Sequence, residues 1–124
     1  MTKPLALLLY ENLRPGSTLV NRLQDLDYRV QVLANPATLL EQARATKPLL
    51  VIIELTIKVG DPGAAITALK GDQATAHIPI LAYCGAKDTK LKAKALKAGA
   101  TLVASDTAIL EQFPQILEQL LLVE

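Results

Sequence analysis

Tryptophan is absent from this sequence, phenylalanine occurs once and tyrosine three times. So few rings cannot build an aromatic-rich sandwich or barrel, and they leave little with which to sandwich a flavin. Ala, Leu, Ile and Val must fill the core of a chain that is 51% apolar, which suits a sheet packed between helices. Cysteine is as rare: the solitary Cys84 excludes an internal disulfide and gives no zinc-ligand spacing. The single histidine, His77, stands in a polar stretch without a Ser, Cys or metal-ligand partner and reads as a solvated loop side chain. Net charge is also scarce. At +1 it offers nothing global to attract nucleic acid or an acidic membrane. No apolar run is long: Leu5–Tyr10, after Met1-Thr2-Lys3-Pro4, is too short for a signal peptide or a membrane span. The expectation is a soluble cytoplasmic protein, one domain over residues 1–124.

What is present alternates between short apolar runs and amphipathic stretches. Leu5–Tyr10 reads as a buried strand, ended by Glu11-Asn12 and the turn-forming Arg14-Pro15-Gly16. Leu19, Val20, Leu23 and Leu26 then recur at helical spacing. Arg29–Leu33 alternates as a short strand, and Asn35-Pro36 joins a capping side chain to a proline at the first helical position. Leu39, Leu40 and Ala43 form that helix's buried stripe. Leu49–Ile53, bounded by Pro48 and Glu54, is the most apolar run and reads as the central strand. Asp61-Pro62 opens a helix that buries Ala65, Ile66 and Leu69. Ile78–Tyr83 is the fourth strand. Asp88 or Thr89 caps a helix carrying Leu91, Ala95 and Ala98, and Gly99 stops it in a left-handed turn. Thr101–Ala104 is a short fifth strand, and Ile116, Leu117, Leu120 and Leu121 mark the last helix. A proline in a helix interior costs about 3 kcal/mol, so Pro114 predicts an irregular turn with regular helix from near Phe113.

Five strands alternating with five helices predict a parallel sheet with right-handed crossovers and helices on both faces. Functional groups in such sheets gather at the carboxyl ends of the strands. Those ends are Tyr10-Glu11, Leu33-Ala34, Glu54, Cys84-Gly85 and Ala104-Ser105-Asp106. They bring together three carboxylates, Glu11, Glu54 and Asp106, and one thiol. Like charges held together protonate in part or recruit a cation. A weak Mg²⁺ or Ca²⁺ site on Glu11 and Glu54 is one expectation; solvated carboxylates at loop mouths are the other. Lys58, one turn beyond Glu54, could reach back to neutralise it. The carboxylates would raise the Cys84 thiol pKa and no cation is placed to lower it, so a small buried side chain is expected there, not a nucleophile. Arg14-Pro15-Gly16-Ser17-Thr18 opens a helix, where free N–H groups can hold an anion. It is neither a Walker loop nor GxGxxG, nor the phosphate loop of flavodoxins, and helix capping is its expected role. Lys87, Lys90, Lys94 and Lys97 recur at three- and four-residue intervals and line one exposed stripe, flanked by Lys92, whereas the last helix carries Glu111 and Glu118.

Over essentially its whole length the chain resembles the receiver domain of bacterial response regulators. Asp27-Tyr28-Arg29-Val30 is similar to that family's Gly-Tyr-x-Val at the second strand. Pro48-Leu49-Leu50-Val51-Ile52-Ile53-Glu54-Leu55 is similar to its Pro-Asp-Leu-x-x-x-Asp-Leu, His77-Ile78-Pro79-Ile80 to its Ile-Pro-Val, and Ala98-Gly99-Ala100 to its Ala-Gly-Ala. The resemblance implies a flavodoxin-like doubly wound α/β fold with strand order 2-1-3-4-5. It also implies an acidic pair, a phosphoacceptor Asp, a Ser or Thr, and a Lys at the ends of the first, third, fourth and fifth strands. Those places fall on Tyr10 and Glu11, Glu54, Cys84 and Asp106, and the family's switch aromatic falls on Val103. Only Glu11 is close to type. Phosphoryl transfer needs positioning and charge cancellation. Glu54 moves its carboxylate by about 1.5 Å, and a misplacement near 1 Å already costs on the order of 100-fold. Asp106 is negative where a lysine is implied, and a thiol donates far more weakly than a hydroxyl.

The resemblance therefore implies a degenerate pseudo-receiver: a two-component signalling module that is not an enzyme, works without phosphorylation or cofactor, and docks a protein. The partner would be a signalling kinase, a regulator or a second copy, met by the helix of Lys87–Lys97, the fifth strand and the last helix. Nucleic acid and membrane are not expected partners. The alternatives are a receiver still phosphorylated or metal-bound at Glu54, and a small-molecule or flavin-binding protein on the same fold.

Overall fold

A computed structural model describes residues 4–11, 13–33, 35–56, 61–85 and 87–122. Five parallel strands, β1 (Leu5–Leu9), β2 (Arg29–Leu33), β3 (Leu50–Glu54), β4 (Ile80–Cys84) and β5 (Leu102–Ser105), form one sheet in the order 2-1-3-4-5. The helices between them are α1 (Leu13–Asp25), α2 (Leu39–Thr46), α3 (Pro62–Gly71), α4 (Thr89–Ala98), α5 (Asp106–Glu111) and α6 (Phe113–Leu122). The fold is the flavodoxin-like, doubly wound one.

The period-two alternation of the strands divides the core between the two faces. Leu7, Leu9, Val51, Ile53, Ala82 and Cys84 pack with Leu39, Ala43, Ile66, Leu69 and Ala95 of α2, α3 and α4. Ala6, Leu8, Leu50, Ile52, Leu81 and Tyr83 pack with Leu19, Leu23, Ile109, Phe113 and Leu120 of α1, α5 and α6. Every residue of β3 and β4 is buried, as strands covered on both faces must be.

The helix starts follow their capping chemistry. Asn35 Oδ1 accepts from the Ala37 N–H at 2.9 Å, and Asp61 Oδ1 from the Ala64 N–H at 3.2 Å, each ahead of a proline. Asn35 opens a 3₁₀ turn, Pro36–Thr38, before α2. Asp88 stands before α4 but makes no side-chain cap; its carboxylate accepts from the Gly85 N–H at 3.1 Å. Gly99 ends α4 at φ 121°, the left-handed side expected of it. Asp27, where the resemblance has glycine, also lies on that side at φ 67°.

Two expectations need correction. Arg14-Pro15-Gly16 is not a turn ahead of a helix but lies in the first turn of α1, which begins at Leu13; proline fits there because the first N–H groups of a helix have no intrahelical partner. The last helix is two helices, so the described residues hold six rather than five. Ser105 Oγ caps α5 by accepting from Ala108 N–H at 3.1 Å. The chain breaks at Gln112, and Pro114 stands second in α6, where it costs no hydrogen bond.

Candidate functional site

At the carboxyl end of the sheet the candidate residues arrive from four neighbouring strands. Glu54 is the last residue of β3 and only 4% exposed. A buried carboxylate needs donors, and the chain supplies them. Its Oε1 accepts from the Glu11 backbone N–H at 2.8 Å, and its Oε2 from the Thr56 hydroxyl at 2.6 Å. The carboxylate therefore ties β3 to the end of β1. Glu11 contributes its main chain to that tie, while its side chain is exposed.

Tyr10, just past β1, turns towards α1 instead of presenting an acid. A methyl group added to the buried Gly16 would overlap the Tyr10 ring, so the first turn of α1 passes beneath the ring only because that residue has no side chain. Asp106 opens α5 and is exposed. Partial burial, then the Glu54 and Asp88 carboxylates, raise its pKa above the ordinary aspartate value. No lysine occupies that place.

Cys84 is buried, with Sγ 3.8 Å from the Asp88 carbonyl oxygen. Burial first, then Asp88 and Asp106, push its thiol pKa up, against a smaller opposing effect of Lys92. That environment suits packing, not nucleophilic chemistry. His77 is exposed in the α3–β4 loop. Lys58 lies outside the described residues.

Sequence reasoning missed Tyr83 and Thr56. Tyr83 is fully buried and its hydroxyl has no hydrogen-bond partner among the described residues. Burial raises its pKa strongly, with the Glu54, Asp106 and Tyr10 groups adding to the effect. A lone phenol in an otherwise apolar strand was the available signal. Thr56 was legible only as a hydroxyl two residues after a carboxylate.

Among the described residues no three of His, Cys, Asp and Glu are grouped so as to hold a metal ion. Both Glu54 oxygens face protein donors, and a tyrosine stands where an acid would complete the set.

The lysines divide. Lys87, Lys90, Lys94 and Lys97 are all exposed. Lys94 lines a small cleft with Asp61, Pro62 and Gly63 at the start of α3, and helical spacing sets Lys90 and Lys97 on the same side. Lys92 does not flank this stripe: it lines a groove of about 400 Å³ on the other side of α4. Half-buried β5 floors that groove, and the position of the absent switch aromatic, Val103, lies in the floor.

Among the described residues no helix is long and apolar enough to cross a membrane. No protein-family model and no curated protein matches the sequence. Solved structures do match. A chain described as a response regulator from Chloroflexus aurantiacus superposes with a TM-score of 0.89 at 17% identity, over 98% of this chain and 99% of the other. The receiver domain of the sensor histidine kinase PA1611 from Pseudomonas aeruginosa, which has a magnesium ion in its active-site cleft, gives 0.86 at 18%, over 97% and 98%. The chemotaxis response regulator CheY4 of Vibrio cholerae gives 0.76 at 18%, over 93% and 99%. The fold of this chain is that of the response-regulator receiver domains.

Proposed function

We propose that the chain is a signalling module of the two-component type that docks a protein partner without being phosphorylated, in the cytoplasm. The observation that carries this is the Glu54 carboxylate, with one oxygen on the Glu11 N–H and the other on the Thr56 hydroxyl. A phosphoacceptor must leave a carboxylate oxygen open for attack beside a cation that cancels developing charge. Here one oxygen ties β3 to the end of β1 and the other holds the loop after β3, and the fifth-strand lysine is replaced by Asp106. On this reading the protein does no chemistry of its own and needs no cofactor. What it offers is surface: Lys87 just ahead of α4, α4 with Lys90, Lys94 and Lys97, then β5 and α6.

Acetyl phosphate supplies the test. Incubation with it and Mg²⁺ should leave the intact mass unchanged; a hydroxylamine-sensitive phosphoryl adduct would overturn the proposal. Reversing the charge of Lys90 and Lys94 together should weaken an acidic partner's binding, and unchanged affinity would remove the stripe from the docking surface. The alternative of a metal-bound site on Glu11 and Glu54 predicts saturable Mg²⁺ binding. A flavin-binding alternative predicts visible absorbance in the purified protein.

A further inference from the structure

The groove along β5 differs from the opposite edge of the sheet. On β2, Arg29 and Val32 are exposed, so a charged side chain guards that edge. On β5 all four residues, Leu102–Ser105, are half-buried although no described strand pairs with its outer side, because α4 and α5–α6 rise as walls beside it. The strand carries no lysine, proline or bulge to discourage pairing. Its ladder fixes which backbone groups face out. The Leu55 N–H donates to the Tyr83 carbonyl at 2.9 Å, so Leu81 and Tyr83 bond β3. Ala82 and Cys84 therefore bond β5 through Leu102 and Ala104, which the register sets opposite Leu81 and Tyr83. The N–H and C=O groups of Val103 and the N–H of Ser105 point into the groove.

The walls carry a matching pattern. Asp88 and Lys92 stand one turn apart on the α4 side, and Ile116 stands between Gln112 and Gln119 on the other. A helix rises about 6 Å over four residues, and an extended strand advances about 6.6 Å over two. Two residues of an added strand separated by one therefore reach Asp88 and Lys92 together, while the residue between them faces Ile116.

From these observations, and resting on the docking reading above, we infer that the β5 groove takes an extended segment of a partner protein as a sixth strand. The segment carries a basic and an acidic side chain two positions apart with an apolar residue between them. Main-chain bonds to Val103 and Ser105 hold it, as in other strand-addition complexes. A second copy of this chain does not fit, because its own β5 is recessed between the same walls.

The test is a titration of the ¹⁵N-labelled full chain with acetylated, amidated hexapeptides that alternate valine with lysine and glutamate, in both charge orders. One order should bind better, with the largest amide shifts at Val103 and Ser105 and cross-strand NOEs to them. Val103→Pro removes an N–H that takes no part in the ladder and should weaken binding about tenfold. Should that variant unfold, exposed Lys92→Glu serves instead and should transfer the preference to a peptide carrying lysine at both charged positions. Binding that ignores both substitutions, shifts confined to Lys90, Lys94 and Lys97, no binding of either peptide, or a dimer in sedimentation velocity that excludes the peptide would each overturn the inference. The docking reading fails separately, through a phosphoryl adduct from acetyl phosphate.

Discussion

Tyr83 and Asp106 are the two side chains whose surroundings fit them worst. The Tyr83 hydroxyl is buried without a partner among the described residues, a state that costs about 1–3 kcal/mol. Tyr83→Phe keeps the ring in the α1–α5–α6 side of the core and removes the stranded oxygen. It should leave the protein as stable or up to about 2 kcal/mol more stable in urea unfolding; a loss of stability would mean that the hydroxyl has a partner. Asp106 has its pKa raised by burial and by the Glu54 and Asp88 carboxylates. The folded state therefore holds its proton more tightly than the unfolded chain, and its ionisation works against folding. Stability from this group rises as pH falls from the raised value towards the ordinary one, about 3.9. Asp106→Asn should therefore compare best with the parent at neutral pH and lose ground through that window. A difference that stays flat with pH would contradict the assignment.

Among the elements, the contact between the end of β1 and the start of α1 is the most tightly specified. Gly16 is buried under the Tyr10 ring with no room for a side chain. Replacing a helical glycine by alanine ordinarily stabilises by about 1 kcal/mol, whereas overpacking costs about 1–3 kcal/mol. Gly16→Ala should be net destabilising by up to about 2 kcal/mol in the parent and stabilising in a Tyr10→Ala background. An equal effect in both backgrounds would show that the ring does not rest there. This contact also marks the limit of sequence reading. The alternation of Leu5–Leu9 and the stripe of Leu19 and Leu23 placed both elements on the correct faces, because period and burial are local properties. Pro15 and Gly16 looked like a turn, because their place in a helix's first turn depends on Tyr10 lying across them. Pro114 was readable because its cost does not depend on neighbours. The phase of α4 was legible for Lys90, Lys94 and Lys97, but Lys92, set beside that stripe, lies two residues from Lys90 and Lys94 and so about half a turn away, on the β5 side.

For the whole molecule, the strand order and the five strand ends were legible, and with them the meeting of Glu11, Glu54, Cys84 and Asp106. What they do on meeting was not. The bond from Glu11 to Glu54 joins residues 43 apart, and the Thr56 hydroxyl completes it from a loop the sequence left unremarked. On this account the receiver fold survives because both faces of its sheet still bury the same apolar pattern. On the proposed reading its chemistry is lost, because that depended on four end residues alone. Restoring them together as Tyr10→Asp, Glu54→Asp, Cys84→Thr and Asp106→Lys should create Mg²⁺-dependent labelling by acetyl phosphate in a protein that lacks it. Continued inertness would mean that the loops, too, have moved.

The most direct measurement is an NMR titration of the ¹⁵N-labelled chain, first with Mg²⁺ and then with beryllofluoride, which mimics a phosphoryl group. The account predicts no saturable shift at Glu11, Glu54 or Asp106 at millimolar Mg²⁺ and excess beryllofluoride, and none along α4. Saturable shifts that begin at Glu54 and spread to Lys87–Lys97 would contradict it and identify a phosphoryl switch that still works.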